Sequence, residues 1–564
     1  MKYLCIFLLF ITILGLNYNS FFENNLLDVL HPDQIIFNNY IIKSINDNNF
    51  HFDYVLSLNK NILNVYNPVE MTFSRNLYLY LNSNIYALYR VSFVVYLMIY
   101  LSIFYYIFNK ISSNYLSATV FTLFSCCNIL LGFSADVFGF MSFQNVRSAY
   151  YVLPFLALSL YFLIYKKKQV LYLGKYTCAF LFSVLMLNFH PVSQIHFSII
   201  FSGLILIEVI VKRNVFRNIR LWILFVITLT PLIYNLLHNE INIKTSFTLD
   251  EFMNVMPAYK VHIPTYAITN NFHWILFLLV SGLFVISFIC FIISFLFVLS
   301  DSIRRLIFKI NFIFSSLLFL LVFNRGQSYF IFSFLVLLFS TIYFNLSKCE
   351  SRKEFILLFI FSFSILISVV GSTVLNYLLV FFNYDILSLE LMRGIRIGYV
   401  VMLFWAADTL ILNKYALFYY SSVVIIFFVL NLNKSKDLNE YHADFKSLDK
   451  LNNKLNSSKK GFLYLGESYE KSIVDALLIK SISHSNTYYS YDGMNCIYSN
   501  KELISPFSHK IDSYKSLFTN KSININELEN IGLIFSLKSN GPLNSANVFL
   551  VSQTKFFYIY KILK

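Results

Sequence analysis

Charge is what this chain has least of. Of its 564 residues only 13% are Asp, Glu, Lys or Arg, while 57% are hydrophobic, and the mean hydropathy is +0.63. Soluble domains carry about 25% charged residues, so a water-soluble globular chain is excluded. A disulfide framework is missing too. Five of the seven cysteines (Cys5, Cys126, Cys127, Cys178, Cys290, Cys349 and Cys496) lie inside apolar runs, and only Cys496 lies in the polar C-terminal tail. None of their spacings suits zinc. No internal repeat or low-complexity linker stands out. No RNA- or DNA-binding module is visible, although the formal net charge is +15. The 63 Phe and 41 Tyr, with much Ile, Asn and Lys, read as the base composition of an AT-rich genome.

What is present in quantity is long apolar sequence. About 17 to 25 apolar residues are needed to cross roughly 30 Å of hydrocarbon. Thirteen such segments are expected, near 3–19, 87–108, 115–134, 148–165, 170–189, 194–211, 221–237, 273–299, 307–323, 328–346, 355–382, 396–412 and 415–431. The first, after Met1-Lys2, is followed by Asn17-Tyr18-Asn19-Ser20, which offers no small-residue cleavage site, so it reads as an uncleaved anchor. Cytoplasmic loops carry excess Lys and Arg, and with the N-terminus inside the basic residues fall on alternate loops. These are Lys110, Lys166 to Lys168, Lys212 to Arg220, Arg304 to Lys309, Lys348 to Lys353, and Lys414. The loops at 20–86 and 238–272 and the tail at 432–564 then lie outside. The predicted fold class is an α-helical polytopic membrane protein with a small C-terminal α/β extracytoplasmic domain, residues 1–431 being the membrane domain. A bacterial inner (cytoplasmic) membrane is the expected location.

Inside the tail, Gly461 to Gly466 reads as a strand and Tyr469 to Ile482 as a helix. Asn526 to Asn530 reads as a helix, and Ile531 to Ser536, Val548 to Val551 and Phe556 to Ile562 as three further strands. Gly466-Glu467-Ser468 has only a superficial likeness to a nucleotide loop, and a location outside the cytoplasm speaks against ATP.

Chemistry would begin at His31-Pro32-Asp33-Gln34, early in the first outer loop. A carboxylate at the interface can be both wet and close to a lipid headgroup, where Asp33 could act as general base. The alternative is that Asp33 caps an interfacial helix over Gln34 to Ile45. Arg393 and Arg396, at i and i+3 at the outer end of the twelfth segment, share a helix face and could grip one phosphate. Interfacial snorkelling, or pairing with Glu390 and Asp385, is the alternative. Asp136, Arg147, Arg325 and Lys260 are weaker outer candidates, with solvated or snorkelled side chains as the default. His190 and His196 flank a Pro-containing turn; satisfied interfacial histidines are a simpler reading than a metal pair. Glu208 lies four residues from Lys212, as an interfacial ion pair would. The membrane interior otherwise reads as free of ionisable residues, which counts against an ion-coupled transporter.

His31-Pro32-Asp33-Gln34-Ile35-Ile36-Phe37 resembles the His-Pro-Asp-Glu motif in the first outer loop of polyprenyl-phosphate-sugar-dependent mannosyltransferases of the GT-C superfamily. The order of anchor, long outer loop, many helices and outer C-terminal domain is also similar to the oligosaccharyltransferase and aminoarabinose-transferase branches. The resemblance implies an integral-membrane glycosyltransferase whose loop aspartate acts as base or helps hold a divalent metal. It carries over to Asp33 alone, because Gln34 stands where the second acid would be, which weakens a metal role. Family members often have a second acid in the loop where Asp136 lies. The implied partners are the bilayer, a polyprenyl-phosphate-linked sugar, and a glycan, lipid or protein acceptor. The rival readings are a surface-polysaccharide polymerase or ligase that depends on outer arginines, and a non-enzymatic flippase of lipid-linked glycans.

Overall fold

The computed structural model describes residues 2–16, 32–45, 68–82, 84–126, 148–165, 174–187, 191–211, 219–238, 251, 254–255, 271–297, 299–323, 335, 338, 352–375, 394–409, 414–432, 444–455, 461–483, 487–490, 504–520, 531–543 and 548–562. Lipid cannot satisfy a backbone N–H or C=O, so an apolar run must bond within itself as a helix. Among the described residues the apolar runs do so. Helices α1 (Lys2–Leu16), α2 (Pro32–Ile45), α3 (Pro68–Tyr80), α4 (Ile85–Ser112), α5 (Tyr115–Ser125), α6 (Ser148–Tyr165), α7 (Lys175–Leu187), α8 (Pro191–Val211) and α9 (Ile219–His238) come first. They are followed by α10 (Asn271–Leu296), α11 (Asp301–Phe323), α12 (Arg352–Ile365), α13 (Ile395–Thr409) and α14 (Lys414–Leu432). The α12 helix runs on through a π-helical stretch, Leu366–Gly371.

Among the described residues, three helices are long and apolar enough to cross a membrane: Ile85–Ser112, Trp274–Leu296 and Lys353–Leu375. Shorter apolar helices cover Tyr3–Gly15, Tyr115–Ser125, Val152–Tyr165, Lys175–Met186, Ser193–Ile207 and Tyr415–Ile426. The expected segment at 328–346 lies outside the described residues save for two positions.

The chain divides into two compact units. The first comprises Met1–Tyr18, Ser92–Thr245 and Ala258–Lys434. Apolar side chains give helices no reason to prefer one another over lipid, so close packing and polar contacts must join them. Ser202 and Thr228 hydroxyls lie 2.9 Å apart between α8 and α9. Asn311 of α11 donates to Ser362 of α12 at 2.8 Å and accepts from Ser287 of α10 at 3.3 Å. Glycines permit close approach: a Cβ on Gly203 would stand 2.7 Å from the Phe363 ring, and one on Gly398 only 2.4 Å from Ser364 Oγ. Aromatic rings fill the intervening space, with Phe288 stacked on Phe359 and Phe363 and the Phe312 ring edge-on to the fully buried Trp405.

The second unit comprises Asn19–Val91, Ser246–Pro257 and Ser435–Lys564. Its C-terminal part contains α15 (Phe445–Leu455), β1 (Gly461–Leu465), α16 (Tyr469–Ser483), α17 (Ile504–Asn520), β2 (Ile531–Leu537), β3 (Val548–Gln553) and β4 (Phe557–Ile562). The strands form one sheet in the order β1-β2-β4-β3, with β1 and β2 parallel and the other pairs antiparallel. Parallel neighbours need a crossover, which α16 and α17 provide. β1 is buried along its whole length, as expected of a strand covered on both faces. The four expected strands and the helix expected from Tyr469 agree with the structure, which adds α15 and α17. Residues Asn526 to Asn530 lie outside the described residues.

Two hydrophilic segments distant in sequence belong to the same unit. The α2 helix packs against α16 and buries Ile35, Ile36, Asn39, Tyr40, Ile41 and Ile42. Two residues of the 246–257 segment are clamped to α17: Glu251 Oε1 accepts from Ser505 Oγ at 2.8 Å, and Asn254 Nδ2 donates to Asp512 Oδ1 at 2.9 Å. Lys515 Nζ donates to Asn254 Oδ1, and Val255 is fully buried. Glu251 and Asn254 are thus held by partners in α17.

Candidate functional site

Among the described residues of the helical unit, two charged side chains are buried, Arg396 and Asp408, one at each end of the antiparallel pair α12 and α13. The first lies where the π-helical stretch of α12 meets the starts of α8 and α13. Arg396, in the first turn of α13, is only 1% exposed, and its Nη1 donates to Ser193 Oγ in the first turn of α8 at 2.8 Å. Gly394, just before Arg396, presses on the same region. A Cβ there would stand 2.8 Å from Ser368 Oγ and 3.6 Å from His196 Cγ. Ser368 belongs to the π-helical stretch, and Gln194, His196, Ser198 and Ser368 are all at most 1% exposed. Long-range folding, not local sequence, makes this cluster, since Arg396 and Ser193 are 203 residues apart.

The physical character of the cluster follows from its parts. A charged side chain within a bundle is expensive and by default marks function. Helix starts carry partial positive charge and unsatisfied N–H groups, and both α8 and α13 start here. Hydroxyls and an imidazole add further hydrogen-bonding capacity. A π-helical stretch is rare and frequent at functional sites. Together these favour a group with several anionic oxygens.

The second place lies at the opposite end of the pair. Lys353 Nζ at the start of α12 stands 2.8 Å from Asp408 Oδ2 near the end of α13. Tyr165 at the end of α6 donates its hydroxyl to the same Asp408 oxygen at 2.7 Å. The ammonium of Lys353 also lies 5.2 Å from the centre of the Tyr165 ring. Asp408 contradicts the expectation that, Glu208 aside, the interior lacks ionisable residues. Its signal was legible: Ala406-Ala407-Asp408-Thr409 is a lone acid within an apolar run. The geometry shows that α6 and α13 bring their ends, and α12 its start, to one place.

The sequence-derived candidates fare differently. Asp33 sits in the first turn of α2, which begins at Pro32. The expected helix at Gln34 therefore starts earlier, and Asp33 is inside it and not at its cap. Proline is at home in the first helical position. Arg396 is the buried cation described above, so snorkelling does not describe it. Its proposed companion Arg393 lies outside the described residues, as do Asp136, Arg147, Arg325, Lys260 and His190. His196 is buried beside Gly394. Among the described residues no three His, Cys, Asp or Glu side chains gather as a metal site.

In the second unit, the loop after β1 does not present a nucleotide cradle. The Gly466 N–H donates to Ser472 Oγ at 2.7 Å, and Asn540 Nδ2 donates to the Gly466 carbonyl at 2.8 Å and the Leu465 carbonyl at 3.2 Å. Backbone groups at the end of β1, where ligands usually bind in parallel sheets, are thus engaged by Ser472 and Asn540. No protein-family model matches this chain, and no curated protein matches its sequence.

Proposed function

We propose that the chain is a GT-C-type membrane glycosyltransferase with thirteen crossings, working on the outer face of a bacterial cytoplasmic membrane. The observation that carries this reading is the buried Arg396 cluster at the starts of α8 and α13. A polyprenyl-phosphate-linked sugar places its phosphate there, and Arg396 and Ser193 stabilise the charge that grows as the phosphate leaves. Asp33 takes the proton of an acceptor hydroxyl. The hydroxyl oxygen then bonds to the anomeric carbon, the bond from that carbon to the phosphate oxygen breaks, and the configuration inverts. The acceptor is a glycan, a lipid or a protein.

A second reading, a surface-polysaccharide polymerase or ligase, draws on the same buried arginine and needs no base at Asp33. One experiment separates the two. Purified protein is assayed for transfer from synthetic polyprenyl-phosphate sugars after Asp33→Asn and, separately, after Arg396→Gln. General-base catalysis contributes typically ~10²- to 10⁴-fold, so loss of that order in both variants is the expected result. Near-normal turnover in Asp33→Asn with loss in Arg396→Gln selects the polymerase or ligase. Normal turnover in Arg396→Gln removes both readings.

A further inference from the structure

The last stretch of the chain is unlike the rest of its unit. From Ile531 to Lys564 there are four lysines, Lys538, Lys555, Lys561 and Lys564, and no Asp or Glu. This stretch folds into β2, β3 and β4, and β3 is one of the two edge strands of the sheet. Three consecutive residues of β3 are apolar and exposed: Phe549 at 50%, Leu550 at 54% and Val551 at 40%. A strand alternates its side chains between faces, so an exposed triplet means that neither face is covered there. Exposed edges of this kind invite pairing unless something occupies or blunts them.

The occupant can be argued from what surrounds the triplet. The β3–β4 register shifts between Leu550 and Ser552, and such a bulge twists an edge away from further strand addition. A second chain pairing along β3 is therefore disfavoured. Positive charge rings the apolar patch. Lys561 pairs directly opposite Phe549, and both are exposed. Lys555 is exposed in the β3–β4 turn with its ammonium 4.6 Å from the centre of the Phe556 ring, and Lys538 lies 5.5 Å from the Tyr558 ring centre. Apolar side chains beside lysines and aromatic rings suit the boundary between headgroups and acyl chains. A negatively charged membrane surface attracts such a patch.

We propose that β3 and the β3–β4 turn seat on an anionic bilayer surface. Phe549, Leu550 and Val551 enter the headgroup boundary, and Lys538, Lys555 and Lys561 meet lipid phosphates. This docking does not depend on the glycosyltransferase reading.

The test uses the full-length protein in nanodiscs of phosphatidylcholine, with or without phosphatidylglycerol. A tryptophan is introduced as Leu550→Trp, with Val551→Trp as a second probe should the first disturb the strand. Quenching by brominated lipid is compared with that of the wild type, whose native tryptophans are Trp222, Trp274 and Trp405. The added tryptophan should be quenched at least roughly twofold more in the anionic nanodiscs, and the pair Lys555→Glu with Lys561→Glu should abolish the difference. No quenching at either probe overturns the proposal. So does quenching that ignores the charge reversals, and so does protection of the probe that instead tracks protein concentration in detergent, which would assign the patch to a second copy.

Discussion

The two ends of the α12–α13 pair hold the helical unit's buried charges in opposite ways. At one end, cation, carboxylate and phenol close on a single oxygen, Asp408 Oδ2, in otherwise regular helix. At the other, an arginine, serines and an imidazole gather where α12 winds into π-helix and Gly394 leads into α13. Removing one partner of a half-buried ion pair leaves the other charge poorly compensated. The first end therefore reads as a latch that fixes three helices, while the second combines buried positive charge with irregular backbone, the combination expected where a ligand is received. Between them, Gly398 against Ser364 keeps the two helices in close register.

This contrast can be broken by mutation. The largest effect is expected at the latch. Asp408→Asn should lower stability by roughly 1 to 3 kcal/mol, discounted because the Lys353 side chain is 38% exposed. Ser193→Ala at the other end should cost no more than about 1 kcal/mol while reducing transfer. Thermal unfolding in detergent, run beside the transfer assay, measures both; equal losses of stability with equal losses of activity would erase the distinction. A middle-sized effect is expected between the ends. Gly398→Ala overpacks the crossing and should destabilise by about 1 to 2 kcal/mol. Adding Ser364→Gly should recover most of that, because the clash is with Ser364 Oγ. Additive losses in the double variant would show that the crossing adjusts elsewhere.

The smallest effect carries the same rule into the second unit. Tyr514 donates its hydroxyl to the Tyr464 carbonyl, and Tyr464 donates to Asp475 Oδ2 at 3.1 Å. Burial, reinforced by Tyr469, raises the Tyr514 pKa well above 10.0. The folded state keeps this proton after the unfolded chain releases it. Its contribution is therefore complete below about pH 10 and declines as pH rises beyond it. Tyr514→Phe should cost about 0.5 to 1.5 kcal/mol at neutral pH and make the alkaline decline shallower. Stability measured by denaturation from pH 8 to 11 checks this, and an unchanged alkaline slope would contradict it.

Particular elements show how far the sequence could be read. The strands of the second unit and α16 were legible because short apolar runs bounded by glycine and polar residues have few alternatives. α17 carried a readable pattern as well, since its buried Ile504, Phe507, Ile511 and Tyr514 recur at helical spacing; its polar composition obscured it. Arg396 was legible as a candidate, but its burial was not. Asp408 was overlooked because its value depends on Lys353 and Tyr165, the latter 243 residues away.

Composition and periodicity alone determined that long stretches of this chain are helical, because an apolar segment in lipid must satisfy its own backbone, and that the tail alternates strand and helix. Tertiary structure alone decided which polar residues meet. It joined Arg396 to Ser193, set Asp408 against Lys353 and Tyr165, and clamped Glu251 and Asn254 to α17. The reason is physical: backbone hydrogen bonding and hydrophobic pattern act over a few residues, whereas a buried charge is stabilised by whichever groups the packing of distant helices brings within about 3 Å.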